Sequence, residues 1–216
     1  MSFSRLKMPL LVSALAFASV THAATTLISE GFDNDTATLA GKGWVITNQS
    51  TPGGSTTWFE PGEGAVIPAY SGSSYMAANW LSAGDGGTVD NWLISPTFST
   101  ANAGYVTLYL TGANEAEFGF FDTVKFGFSG GSTTTSDFTM GTTVTAPAGW
   151  TAYTFAYAAG GAGSVGRFAI EAIGDSAVFE YVGVDALSIN AVPEPATWAM
   201  FALGAAALVA RRRAAR

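Results

Sequence analysis

The chain has 216 residues, 26 of them glycine, no cysteine, a single histidine and a formal net charge of −7. Disulfides are excluded outright, and the shortage of imidazole and thiol excludes Ser-His-Asp and Cys-His catalysis together with the usual zinc and copper sites. The one histidine, His22, stands in a segment that is expected to be removed, which leaves the body with neither residue type.

At the N-terminus Arg5 and Lys7 form a basic region, Pro9 to Val20 is apolar, and Thr21-His22-Ala23 ends in a small residue. That order is a secretory signal peptide over residues 1–23, cut by signal peptidase after Ala23. The body is then residues 24–191. Only Lys42, Lys125 and Arg167 are basic there, against fifteen carboxylates, so its charge is near −12. Such a surface repels nucleic acid and anionic membrane and favours cations or a hydrated matrix.

The body reads as β-structure throughout. Tyr105 to Thr111 sets Val106, Leu108 and Leu110 against Tyr105, Thr107 and Tyr109; Thr123 to Ser129 sets Val124, Phe126 and Phe128 against Thr123, Lys125 and Gly127. Each is the alternation of a half-buried strand. Further segments run through Trp150–Tyr157, Arg167–Ile173 and Phe179–Ile189, separated by glycine-rich turns such as Gly84–Gly87 and Gly160–Gly163. No body segment carries a helical stripe. Short strands and glycine turns predict one all-β domain, an antiparallel jelly-roll sandwich. The glycine loops lack the Lys-Ser/Thr partner or following helix that phosphate binding needs.

The last segment, residues 192–216, has three parts: Val192-Pro193-Glu194-Pro195, an uncharged run from Trp198 to Ala210, and Arg211, Arg212 and Arg213. The Pro-Glu-Pro step breaks regular structure. The run predicts a short hydrophobic helix of roughly 20 Å against about 30 Å of hydrocarbon, a transmembrane helix suited to transient rather than permanent anchorage. The arginines mark a cytoplasmic end. This order resembles the PEP-CTERM sorting signal, which implies recognition by an exosortase in the inner membrane and removal near Pro-Glu-Pro.

A second resemblance covers nearly the whole body. Glu30-Gly31-Phe32-Asp33, Gly43-Trp44, Thr57-Trp58-Phe59, Ser73-Ser74-Tyr75, Trp92-Leu93-Ile94-Ser95-Pro96, Gly166-Arg167-Phe168 and Tyr181-Val182-Gly183-Val184-Asp185 together resemble the choice-of-anchor J family. That family is related to cleaved-adhesin domains and occurs on bacterial surface proteins with different anchoring tails. The resemblance implies a jelly roll and a place on the cell surface or in the extracellular matrix.

Three groups of residues are candidates for chemistry. Asp185 shares strand parity with Tyr181, Gly183, Leu187 and Ile189, so a regular strand points it at the interior, where an unpaired charge is costly. Backbone amides, a bulge that turns it outward, or a calcium ion held with Glu30 and Asp33 would satisfy it; the resemblance to jelly-roll modules with structural calcium implies the last. Among the aromatics, Trp58 and Trp80 lie beside glycine-rich or polar turns and are the candidates for exposed sugar platforms, while Trp44 and Trp92 read as core. Tyr105 and Tyr109 would form a shallow exposed ladder. Glu115, Glu117 and Asp122 lie close together, but concanavalin-like glucanases carry Glu-x-Asp-x-x-Glu, whereas Phe120 holds the last position here, so the chain is not read as an enzyme. The leading function is an exported surface or matrix protein with an adhesive or structural role linked to exopolysaccharide or cell-surface glycans in a biofilm. A calcium-dependent carbohydrate-binding module is the alternative, and a glycoside-active enzyme comes third.

Overall fold

A computed structural model describes residues 23–62, 65, 67–113, 119–192 and 197–214. The chain divides into two compact units, the larger spanning Ala23–Glu194. It holds thirteen strands among the described residues: β1 (Thr25–Glu30), β2 (Val45–Asn48), β3 (Thr51–Gly53), β4 (Met76–Asn79), β5 (Ala83–Ile94), β6 (Phe98–Ser99), β7 (Gly104–Gly112), β8 (Thr123–Ser129), β9 (Thr139–Met140), β10 (Val144–Thr145), β11 (Thr151–Tyr157), β12 (Val165–Asp175) and β13 (Tyr181–Ala191).

They form two sheets. One runs β1-β13-β7-β11 with β4 also on β13; the other runs β10-β8-β12-β5-β2 with β3, β6 and β9 at its margins. All of these strand pairings are antiparallel. From β7 onward the long strands alternate between sheets, β7, β8, β11, β12 and β13 in turn, so the connections cross the sandwich as in a jelly roll. The fold class read from the sequence is the one observed.

The inner faces are the alternating residues that the sequence exposes. Val106, Leu108 and Leu110 of β7 meet Val124 and Phe126 of β8 and Phe168 and Ile170 of β12 in one buried cluster. Phe126 and Phe168 stack with ring centroids 6.1 Å apart. Each such side chain contributes about 1.5–3 kcal/mol when fully buried, which replaces the stabilisation a disulfide would give.

One element was not expected. A helix, α1 (Thr36–Gly41), follows β1, with the Asp35 carboxylate accepting from the Thr38 N–H and Leu39 buried beneath. Six residues are too few for a periodic stripe to be read. The smaller unit supplies α2 (Thr197–Ala214), whose last turn carries Arg211, Arg212 and Arg213. No helix among the described residues is long and apolar enough to cross a membrane, and this corrects the transmembrane helix expected here. The helix has 18 residues, but the arginines take up its end and leave a short apolar part.

Candidate binding face

The outer face of the β1-β13-β7-β11 sheet collects the residues that alternate with the core. Tyr105, Thr107 and Tyr109 of β7 stand opposite Ala156, Thr154 and Ala152 of β11. On the other side they face Asn190, Ser188 and Asp185 of β13. The three β11 positions are exposed, and Tyr105, Thr107 and Tyr109 are half-buried, on the side of β7 that the alternation assigns them but less open than the exposed ladder expected there. The Thr107 and Thr154 hydroxyls lie 3.2 Å apart. Asn190 accepts from Thr26 Oγ1 at 2.9 Å and donates to Ser188 Oγ at 3.1 Å, which fixes the polar side of the face. The strands of this sheet carry two charged residues, Glu30 and Asp185, and both are buried.

One end of this face lies under the segment around Pro68–Tyr75. Tyr70 stacks on Tyr109 with centroids 3.5 Å apart and planes 17° from parallel. Trp150 meets Tyr75 edge-on at 5.2 Å and donates from Nε1 to the Pro68 carbonyl at 2.9 Å. Two carboxylates fasten the segment from below. Asp185 accepts from the Ser71 N–H at 3.0 Å, and Asp33 accepts from the Ser74 N–H at 3.1 Å and from the Ser73 N–H. Gly72 between them has φ 68°, and a Cβ there would fall 2.2 Å from Asp33 Oδ1, so only glycine fits. Burial pushes the Asp185 carboxyl up, opposed by the N–H groups it accepts from. Asp33 is held below the usual range, first by the Ser73 N–H.

The parity reading of Asp185 is corrected by this geometry. Val182 and Val184 point into the core, so Asp185, opposite Tyr109, faces outward and is buried by the overlying segment. The pairing of β13 with β7 is irregular between Asp185 and Ser188, and Ala186 adopts φ 48°. This bulge switches the parity so that Leu187 and Ile189 return to the core.

The proposed calcium ligands are otherwise engaged. Glu30 accepts from Lys42 Nζ at 2.9 Å in an ion pair and from the Phe32 N–H at 3.1 Å. Among the described residues no group of three or more carboxylate, histidine or cysteine side chains is arranged to hold a metal ion. Asp122 is buried and accepts from the N–H groups of Ala113, Glu180 and Tyr181. Glu115 and Glu117 lie outside the described residues.

Trp58 is not an exposed platform. It has no accessible surface, packs in the main core and donates from Nε1 to the Asn91 carbonyl at 2.9 Å. Its polar neighbour Thr57 is bonded inward as well, Thr57 Oγ1 donating to Asn91 Oδ1. Trp80 is 44% exposed and borders a cleft of about 400 Å³ with Asp85, Phe120 and Phe179. Of the sorting residues, Val192 is exposed and Arg211, Arg212 and Arg213 are exposed on α2, while Pro193, Glu194 and Pro195 lie outside the described residues. Sequence reasoning found the β7 ladder but not its wall of Tyr70 and Trp150, since nothing local ties either ring to Tyr109 or Tyr75.

Residues 191–213 match the PEP-CTERM protein-sorting motif. No protein of curated function matches the sequence. Among solved structures, the K3 cleaved adhesin domain of Lys-gingipain from Porphyromonas gingivalis W83 is similar at TM-score 0.61 and 16% identity, covering 78% of this chain and 99% of that one. The K1 domain of the same protein gives TM-score 0.61 and 22% identity, with 77% and 98% covered. The K2 cleaved adhesin domain of Lys-gingipain gives 0.57 and 19%, with 77% and 99% covered. At these identities the likeness is one of fold. The sorting motif implies an exported protein processed by exosortase.

Proposed function

We propose that the chain is an adhesive or structural protein of the cell surface or extracellular matrix, of the choice-of-anchor J kind. Signal peptidase removes residues 1–23, exosortase cuts near Pro193-Glu194-Pro195 after transient association of residues 192–216 with the inner membrane, and residues 24–191 are the delivered sandwich. The observation that carries the reading is the sorting motif at 191–213, which begins where β13 ends. Support for adhesion comes from the fold shared with domains described as cleaved adhesins. The biofilm part of the reading is supported by the chemistry of the body, whose acidic charge suits a hydrated matrix.

Mass spectrometry of the protein from producing cells, with and without exosortase, tests this. The expected result is a C-terminus near Pro193 that depends on exosortase; a C-terminus still at Arg216 in cells with exosortase overturns it. Calcium enters this reading at Glu30, Asp33 and Asp185, of which Asp185 and Asp33 accept from the N–H groups of Ser71 and Ser73 in one segment. A melting temperature that falls on chelation would support a bound ion, and an unchanged one supports carboxylates satisfied by the backbone alone.

A further inference from the structure

We propose that the open half of the β7–β11–β13 outer face, from Tyr105 to the Tyr70–Trp150 wall, binds a neutral polysaccharide chain. The proposal deepens the adhesive reading and depends on it only for where the protein meets its ligand.

The floor of the face is made of a ring, hydroxyls and small side chains. Tyr105 lies at one end; Thr107, Thr154 and Ser188 fill the middle; Tyr70, stacked on Tyr109, rises at the other. Tyr105 and Tyr109 are four residues apart on one strand, roughly 13 Å at about 3.3 Å per residue, longer than a single sugar ring. A flat ring accepts the C–H face of a pyranose without stripping water from polar groups. Ala152 and Ala156 leave the space beside β7 shallow, so a chain can lie along the strand rather than end in a pocket. The Thr107 and Thr154 hydroxyls each donate and accept, and sugar hydroxyls need both. Ser188 Oγ is already oriented by Asn190, so little freedom is lost on binding.

Charge selects the class of ligand. The body carries a large acidic excess, yet the strands of this sheet expose no charged side chain, since Glu30 and Asp185 are both buried. A uronic acid polymer or a nucleic acid would meet the repulsion of the whole body with no cation on the face to offset it. A basic partner would find no exposed carboxylate on these strands. An uncharged polyhydroxyl chain matches the face. The Trp80 cleft differs: Asp85 and Glu180 border it beside the ring, so it does not share this neutrality.

Affinity electrophoresis of the full chain in gels containing single neutral polysaccharides (xyloglucan, mixed-linkage glucan, galactomannan, dextran), with alginate as the anionic control, tests the proposal. The expected result is retardation by at least one neutral polymer, insensitive to salt, and none by alginate. Tyr105→Ala weakens it roughly tenfold, about 1.4 kcal/mol, and Thr154→Lys abolishes it by filling the floor. The second variant removes no core contact and is read if the first does not fold. Trp80→Ala leaves binding unchanged. Absence of retardation by every neutral polymer, binding lost in Trp80→Ala but kept in Tyr105→Ala, or a preference for alginate each overturns the proposal. A protein that is correctly processed at its C-terminus but binds no neutral polymer refutes the glycan proposal alone; one ending at Arg216 that binds refutes only the sorting reading.

Discussion

The two outer faces of this sandwich are made by the same strand alternation and meet different surroundings. The strands of the β10-β8-β12-β5-β2 sheet carry Asp85, Asp90, Lys125, Arg167, Glu171 and Asp175, and the part of their outer face around Trp92 is covered by the segment that carries Phe138 and Met140. Trp92, Ile94 and Ala169 form a second apolar cluster there with Phe138, with Val45 and Met140 packed against it. Glu171 is buried beside them, its carboxyl pushed up by burial and by Asp90 and drawn back by Lys125. The opposite face keeps rings, hydroxyls and alanines, and only one end is covered. A face that the chain covers must be filled with apolar groups and compensated charges. A face left open can stay neutral and shallow, which is what a sugar-binding surface needs and a hydrophobic core does not.

The largest effect should come from the covered face. Trp92→Ala removes an indole that is 5% exposed, its contact with Phe138 at 5.8 Å and its hydrogen bond to Asp90. A loss of about 3–5 kcal/mol in urea unfolding is expected; a loss below about 1 kcal/mol would mean that the second cluster does not stabilise the fold. Next is the covered end of the open face. Gly72→Ala forces a side chain into the left-handed region and onto Asp33, costing at least about 1–2 kcal/mol. It should also loosen the Tyr70–Tyr109 stack, read as a change in near-ultraviolet circular dichroism.

The contrast between the faces was only half legible in the sequence. Period-two alternation fixed β7 and β8, because both strands are regular and their inner residues are large. The β13 pattern misled because Ala186 takes a backbone conformation rare for residues other than glycine, and no residue type marks that bulge. Trp58 misled because a polar neighbourhood does not show whether its hydroxyls point to water or, like Thr57, to a buried Asn91. Tyr70 lies far from β7 in sequence, so its stack on Tyr109 is a tertiary fact. The sorting tail was readable because its three parts are contiguous.

The third effect depends on pH. Asp185 is held above the ordinary value of 3.8 chiefly by burial, so the folded state binds its proton more tightly than the unfolded chain. The stability it contributes is fully present below that value and is lost as pH rises through the raised one. Asp33 has the opposite sign: its lowered carboxyl contributes stability above 3.8 that is lost as pH falls. Asp185→Asn should therefore remove a fall in stability above pH 3.8 while leaving the acid loss from Asp33. Urea midpoints measured across the acid range would show this, and an unchanged slope would mean that Asp185 titrates as an exposed group.

The smallest expected effect separates the faces most sharply. Tyr105 is half-buried, points away from the core and faces Ala156 and Asn190 across the strands, with no ring contact to Tyr109. Its replacement by alanine leaves no cavity and strands no buried polar group, so the change in stability should stay within about 0.5 kcal/mol. If the open face is structural like its counterpart, Tyr105→Ala will instead cost what Trp92→Ala costs per unit of area removed from water, about 25 cal/mol per Å². Equal scaled losses on the two faces would show that the neutrality of the first reflects packing alone. A near-silent Tyr105→Ala would leave its ring free of any folding role, on a neutral face where a ligand can use it.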